Sequence, residues 1–424
     1  MQKINFLIYF LFFASYSLRA QGISDTITEK EVSRIIHVLA SDSFGGRGNL
    51  QPGQIKAAKF IGEEFKKSGL LPLPGIQSYF LFFQPQGGRN VQKDALTWNG
   101  EYYSPEKFLY IPLQPGGYST KTLADFDVIK LDTFFSNEIL KQYQHAGKSL
   151  IIWTDRLQPD GFSFFPENIK APLGGLQSDI LLVCTHHPPD SITLAAMPSY
   201  SMFAYNVVGI LPGKTKPREA IIISAHYDHM GILPHERRDS IMNGANDDAS
   251  GTTGVLALAD YFAKRNDNAR TLIFCAFAGE ELGLKGSQDF IKYIDPDRIV
   301  AGINLEMIGI PQFGKKTVFI TGARYSSLSQ ILEKSLPKKT LWMVREPDAN
   351  KQLFRRSDNF SFVTHGIPAH TIMASDDDDR CYHRVCDEAD RIDTANMTNI
   401  IAAVALAMRK LVSGEATPNR IRGF

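Results

Sequence analysis

The sequence predicts an α/β protein: a mostly parallel or mixed central sheet sandwiched by helices, with a β-rich module inserted into it. Three observations lead there. Its 424 residues exceed one compact core at roughly 100–200 residues per domain, which suits a large domain carrying an insertion. After Tyr205, short apolar runs alternate regularly with amphipathic stretches. Between Gly87 and Met197 the texture changes, and strand-like runs are separated by Pro, Gly and Asp.

Residues 1–20 read as an export signal, because Lys3 precedes the apolar run Ile4–Ala14 and small residues follow. Cleavage is expected after Ser17 or Ala20. The run is short for a membrane span, although an N-terminal anchor is the competing reading, and no second apolar stretch reaches about 18 residues. Residues 21–86 begin the main domain, with an amphipathic helix over Gln51–Lys67 that places Ala57, Ala58, Phe60, Ile61 and Phe65 at helical spacing before Gly69. Residues 87–197 form the inserted module, with strands at Phe126–Leu131, Ser149–Trp153 and Asp179–Cys184. Residues 198–424 complete the main domain. Its strands are expected at Asn206–Leu211, Ala220–Ala225, Thr271–Ala278, Ile299–Leu305, Thr317–Thr321 and Ile367–Met373. Helices are expected at Gly254–Lys264, Ser287–Ile294 and Thr394–Val412. In such a sheet, chemistry sits at the carboxyl ends of the strands.

Composition excludes several classes. Hydrophobic residues are 43% and charged residues 21%, ordinary globular usage that argues against disorder or a fibrous repeat. Lys plus Arg is 46 against 45 Asp plus Glu, a formal charge of +1. Removing residues 1–20 takes Lys3 and Arg19 and no acid, so the charge becomes −1. No global field is available to hold nucleic acid or an anionic membrane. Of the four cysteines, Cys275 sits in an apolar run and reads as a small core residue. Cys381 and Cys386 are close enough to close a short loop.

Several motif fragments fail. Gly147-Lys148-Ser149 has Gln142 where a phosphate-binding loop needs its first glycine, and Gly209 to Thr215 is one residue short of that motif. His235-Glu236 begins like a zinc-protease helix, but Asp239 occupies the fifth position. No G-x-S-x-G elbow occurs.

Five segments remain. His226 and Asp228 follow the run Ile221–Ile223 and point the same way on an extended chain. An imidazole beside a carboxylate suits a metal ligand with its orienting partner, although a His after a strand is as readily structural. Asn246-Asp247-Asp248 leads into a helix, as a capped turn or as a carboxylate bridging two cations. Glu280-Glu281 lies in a glycine-rich turn after a buried strand, where two adjacent acids want either solvent or a cation. Glu306 is flanked by Leu305 and Met307 and is costly to bury unpaired. Tyr382-His383 lies in an acidic loop. Together these form a nitrogen and oxygen donor set suited to zinc.

With these segments in this order, the chain resembles the M28 family of zinc peptidases, in its bacterial leucyl-type aminopeptidase branch. Leu39 to Arg47, Ser357-Asp358-Asn359-Phe360 and Gly366-Ile367-Pro368-Ala369 also fit. The resemblance covers roughly 25–80 and 200–412, and the middle module is similar only to a degenerate protease-associated domain. It implies an exported aminopeptidase acting on peptides with two Zn2+ ions. One ion would be held by His226 and Glu306 and the other by Glu281 and His383, with Asp247 bridging. Asp228 would orient His226, Glu280 would be the general base, and a cis peptide is implied between Asp247 and Asp248. Glu306 stands where many members have Asp, and Asn359 where a His is common. A disulfide between Cys381 and Cys386 would steady the loop carrying His383. His229, His235, His365 and His370 take structural or supporting places, and Asp376–Asp379 reads as a solvated loop or a calcium site. Three alternatives stay open: a one-zinc glutaminyl cyclase, which the stretch Gly283 to Ser287 disfavours, a carboxypeptidase with the same metals, and a non-catalytic binding module.

Overall fold

The computed structural model describes residues 26–85, 95–103, 107–111, 119–133, 143, 148–156, 179–196, 203–232, 239–337 and 340–424. The expected export signal, the Gly147 end of the rejected phosphate loop, His235 and much of the 87–197 stretch lie outside the described residues.

Apolar runs become the eight strands of one sheet: β1 (Phe80–Phe83), β2 (Ala204–Leu211), β3 (Lys216–His226), β4 (Arg270–Phe277), β5 (Ile299–Leu305), β6 (Thr317–Ile320), β7 (Trp342–Val344) and β8 (Ala369–Met373). Their order is β1-β2-β4-β3-β5-β8-β6-β7. The centre is parallel from β4 through β3 and β5 to β8. β1, β2 and β6 join antiparallel, and β7 runs parallel to β6 at the far edge. The sheet is therefore mixed, with a parallel core.

Both faces of the central strands are apolar, as a sheet covered on two sides requires. Period-two alternation sends Ile221, Ile223, Leu272 and Phe274 into one core. That core also takes α1 (Glu29–Leu39), α2 (Pro52–Lys67), α3 (Gly251–Arg265) and α4 (Thr394–Ala407), through residues such as Ile36, Ile61, Leu258 and Ile401. Ile222, Ile273 and Phe277 point the other way, onto Phe290, Phe362 and Val363. Each fully buried aliphatic or aromatic side chain contributes roughly 1.5–3 kcal/mol.

Register sets the heights of the strand ends. Parallel pairing places His226 beside Phe277 and Ser224 beside Asn304. The tips of β3, β4 and β5 thus lie side by side, carrying His226, the turn with Glu280 and Glu281, and Glu306. Just below them a polar chain crosses the sheet. Ser224 donates to Asn304 Oδ1 at 2.7 Å, and Asn304 Nδ2 donates to Ser357 Oγ at 2.7 Å and Thr371 Oγ1 at 3.2 Å. Thr371 donates in turn to Asn359 Oδ1 at 2.8 Å. All five residues are buried. Asn359, where a supporting His was the family expectation, belongs to this brace.

Two expectations need correction. The two edge strands, β1 and the three-residue β7, were not foreseen, because their apolar runs are only about four residues long and neither stands in the regular alternation with helices. A second apolar stretch also exists: Thr394–Val412 is long and apolar enough to cross a membrane by length and composition. In this fold Met397, Ile400, Ile401 and Val404 of that stretch are buried in the core.

Between Ala95 and Ala196 the described strands pair only with one another. They form two four-stranded sheets, sharing a core that includes Leu96, Trp98, Ile151, Trp153, Leu181 and Val183.

Candidate metal centre

All but one of the candidate residues sit at or just past the end of a regular element, and His383 lies in the loop after Met373. His226 closes β3. Asp247 lies in a single wide helical turn, Ala245–Ser250, whose Asp247–Asp248 peptide is cis. Asp248 accepts from the Gly251 and Met307 amides at 2.9 and 3.0 Å, tying the start of α3 to the tip of β5. The turn needs Gly244: a Cβ there would lie 2.3 Å from the Asp247 carbonyl and 2.4 Å from the His229 ring.

Five side chains converge. Asp247 presents Oδ1 to His226 Nε2 at 3.3 Å and Oδ2 to His383 Nε2 at 3.1 Å. His383 Nε2 also lies 3.2 Å from Glu281 Oε1. Glu306 shares with Asp247, Glu280 and Glu281 the floor of a cavity of about 400 Å³. His226 Nε2, His383 Nε2 and Glu306 Oε2 are buried with no hydrogen-bond partner among the described residues. Such orphaned donor atoms, of nitrogen and carboxylate oxygen around one space, suit a divalent zinc ion.

The electrostatics point the same way. Burial alone would lift Asp247, yet the His226 and His383 imidazoles close to its two oxygens hold it well below the usual carboxylate range. Glu281 is held at about 2, because the hydrogen bond with His229 and the adjacent His383 imidazole outweigh its burial and the nearby Asp247 charge. Burial raises Glu306 to about 7 and Glu280 well above normal, in each case against the His226 charge. Despite its burial, His383 is raised to about 10 by Asp247 and Glu281. With no cation, the imidazoles act as counter-charges for crowded acids, a place that a metal ion would take over.

Asp228 is fully buried. Its Oδ1 and Oδ2 accept from the Glu280 and Glu281 amides at 3.2 and 3.3 Å. His226 Nδ1 is closer to the Asp228 carbonyl, at 3.1 Å, than to its carboxylate, at 3.7 Å. The side chain expected to orient His226 thus fixes the turn that carries the two acids, while the backbone carbonyl of Asp228 is what meets the imidazole. His229 meets Glu281 through Nδ1 at 2.9 Å and lies 3.8 Å from Asp247. With Asp247, Glu281 and His383 it makes a tight group of four ligand-type side chains. His365 and His370 lie elsewhere: His365 bonds the Ser361 carbonyl, and His370 bonds Ser326 and the Thr321 carbonyl. Asp376, Asp377 and Asp378 surround Lys351 Nζ at 3.1, 2.7 and 2.7 Å. Asp358 is buried with neither oxygen hydrogen-bonded among the described residues.

Three supporting groups escaped sequence reasoning. Arg47 is fully buried and donates to the carbonyls of Leu39, Tyr227, Asn243 and Gly244 at 2.6–2.8 Å. It staples the His226 strand end to the Asp247 turn. Asp387 accepts from the Asn246 and Asp247 amides at 3.0–3.1 Å. Asn49 donates to Asp228 Oδ2 at 2.5 Å. Cys381 and Cys386 are joined by a disulfide around the His383 loop.

Comparison with known proteins bears on the family and the fold. The family model described as Peptidase family M28 matches residues 206–408. Aminopeptidase YwaD of Bacillus subtilis is 27% identical over 235 residues, 52% of this chain and 49% of that one. A probable zinc metalloprotease of Pyricularia oryzae is 40% identical over 100 residues, 22% of this chain and 18% of that one. The chain therefore spans half or less of the length of these curated relatives. Among solved structures, an aminopeptidase from Aneurinibacillus sp. strain AM-1 superposes with a TM-score of 0.51 at 18% identity, covering 95% of this chain and 96% of that one. That likeness concerns the fold. The segment 206–408, which carries every candidate ligand and the candidate base, belongs to peptidase family M28.

Proposed function

We propose that the chain is an exported two-zinc aminopeptidase. The observation that carries this reading is the placement of two imidazoles on opposite oxygens of Asp247, at 3.3 and 3.1 Å, with Glu281 and Glu306 beside them. In it, His226 and Glu306 would hold one ion and Glu281 and His383 the other, with Asp247 shared. When bound, a zinc pair supplies Lewis-acid polarisation of the scissile carbonyl and acidifies water.

The chain's own groups supply the rest. Glu280 lines the cavity without contributing to the ligand set. As general base it takes a proton from the attacking water and delivers it to the leaving amine. Asp228 holds the Glu280 and Glu281 amides, so base and ligand keep a fixed separation. Tyr382 lines the same cavity, and burial keeps its phenol protonated as a donor. The apolar run Ile4–Ala14 and the Cys381–Cys386 disulfide support a place outside the reducing cytosol.

The test is a panel of aminoacyl chromogenic amides against N-blocked versions of the same peptides, with zinc counted per chain. Cleavage of the free-amine series by protein holding two zinc ions is expected. Cleavage of the blocked series, or cyclisation of an N-terminal Gln peptide by protein holding one zinc, overturns it.

A further inference from the structure

The cavity above the acids has a second charged wall. Arg355, Arg356 and Asp377 line it together with Leu353, Met373 and Tyr382. Arg356 donates through Nη1 to Asp377 Oδ2 at 2.7 Å, and its side chain is 44% exposed, at the mouth of the cavity. Asp377 is already held by Lys351 at 2.7 Å on its other oxygen. Tyr382, next to the guanidinium, stacks on the His383 ring at 3.9 Å. Arg355 packs over Phe360 and Phe424 at 5.3 and 5.4 Å and makes no ion pair among the described residues.

Resting on the two-zinc reading, a count of the cavity's charges decides its sign. The four floor acids Asp247, Glu280, Glu281 and Glu306 would balance two divalent ions. The wall cluster of Arg355, Arg356 and Lys351 faces Asp376, Asp377 and Asp378, but only the two guanidinium groups and Asp377 line the cavity, so its inner surface presents more cation than anion. A guanidinium has five N–H donors, and Asp377 takes one of those on Arg356. Carboxylates are the natural partners of the rest, since paired N–H···O bonds match the guanidinium fork. Position selects the side of the substrate. An aminopeptidase encloses the N-terminal residue, and the remainder of the peptide leaves through the mouth, where Arg356 stands.

We propose that Arg356 is a specificity-determining residue that selects peptides with a carboxylate on the residue just after the scissile bond. Two sources offer that chemistry: the free C-terminus of a dipeptide, or an Asp or Glu side chain.

Matched pairs separate the two sources: Leu-Ala against Leu-Ala-amide, and Leu-Glu-amide against Leu-Gln-amide. In at least one pair the acid is expected to show a kcat/KM about tenfold above its neutral partner, carried by KM, as a charge-assisted bond predicts. Arg356→Gln is expected to remove that preference while neutral peptides keep their rate within about twofold, and Arg356→Lys to retain part of it. The same ratio should appear as Kd for uncleaved peptide on zinc-loaded Glu280→Gln protein. Equal cleavage of acid and amide by the unaltered protein overturns this proposal alone, as does a preference that survives Arg356→Gln. A uniform loss on all peptides assigns Arg356 to loop structure and overturns it too. No cleavage of any member overturns the peptidase reading and this proposal with it.

Discussion

The two histidines on Asp247 are held in contrasting ways. His226 ends a parallel strand, is 1% exposed, and has its backbone laddered to β4. His383 sits on a loop, has a side chain 31% exposed, and adopts a left-handed backbone at φ 53°, a conformation that costs a non-glycine residue about 1 kcal/mol or more. The sheet supplies one half of the site through hydrogen bonds that the fold makes anyway. The loop half is secured by local devices: a disulfide, and the Asp387 carboxylate on the Asp247 turn. The contrast teaches that a strand-borne imidazole and a loop-borne one can face the same carboxylate.

Substitutions can break or sharpen that contrast. Glu280→Gln belongs to neither half and should lower turnover about 10³-fold with zinc retained, read by steady-state rates and metal analysis. Turnover near the unaltered level would remove Glu280 as base. Arg47→Met should cost about 4 kcal/mol, since four buried carbonyls lose their donor. Denaturant unfolding measures this, and an unchanged midpoint would show the sheet half to be self-supporting.

His370 offers a pH test remote from the ligands. Burial lowers its pKa from 6.5 to about 4. The unfolded chain therefore binds this proton first as pH falls. The stabilisation is complete above pH 6.5 and drains away toward pH 4, by on the order of 3 kcal/mol. His370→Gln should flatten that slope, and an identical pH profile would refute the assignment. The smallest effect is expected on the loop side. Replacing Cys381 and Cys386 by Ser should cost about 2 kcal/mol and weaken zinc retention, visible in dialysis against a chelator, while the strand-borne half keeps its fold.

Much of this was legible beforehand, for a physical reason. The strands Ile299–Leu305 and Phe126–Leu131 have the bounds their apolar patterning implied, and an acid such as Glu306 at the end of such a run stands out. Helix α1 went unnoted although Val32, Ile35, Ile36 and Leu39 mark its buried face. Arg47, Asn49 and Asp387 could not be read, because their partners lie about 140–200 residues away in sequence. Only folding gives such groups a meaning. Arg356 is the same case: beside Arg355 it reads as solvated charge until the cavity wall exists.

The brace of Ser224, Asn304, Ser357, Thr371 and Asn359, polar residues within an apolar sheet, has a mechanical consequence. Backbone ladders resist separation of strands but are periodic, so a strand displaced along its neighbour can find new partners. Side-chain bonds anchored at single positions are not periodic, and they turn three adjacent strands into cross-bonded plies with no slip plane. The tips of β3 and β5, only two residues beyond the brace, inherit that fixed offset. Since useful active-site geometry tolerates about 0.5 Å of error, Asn304 sets the gauge of a site it never touches.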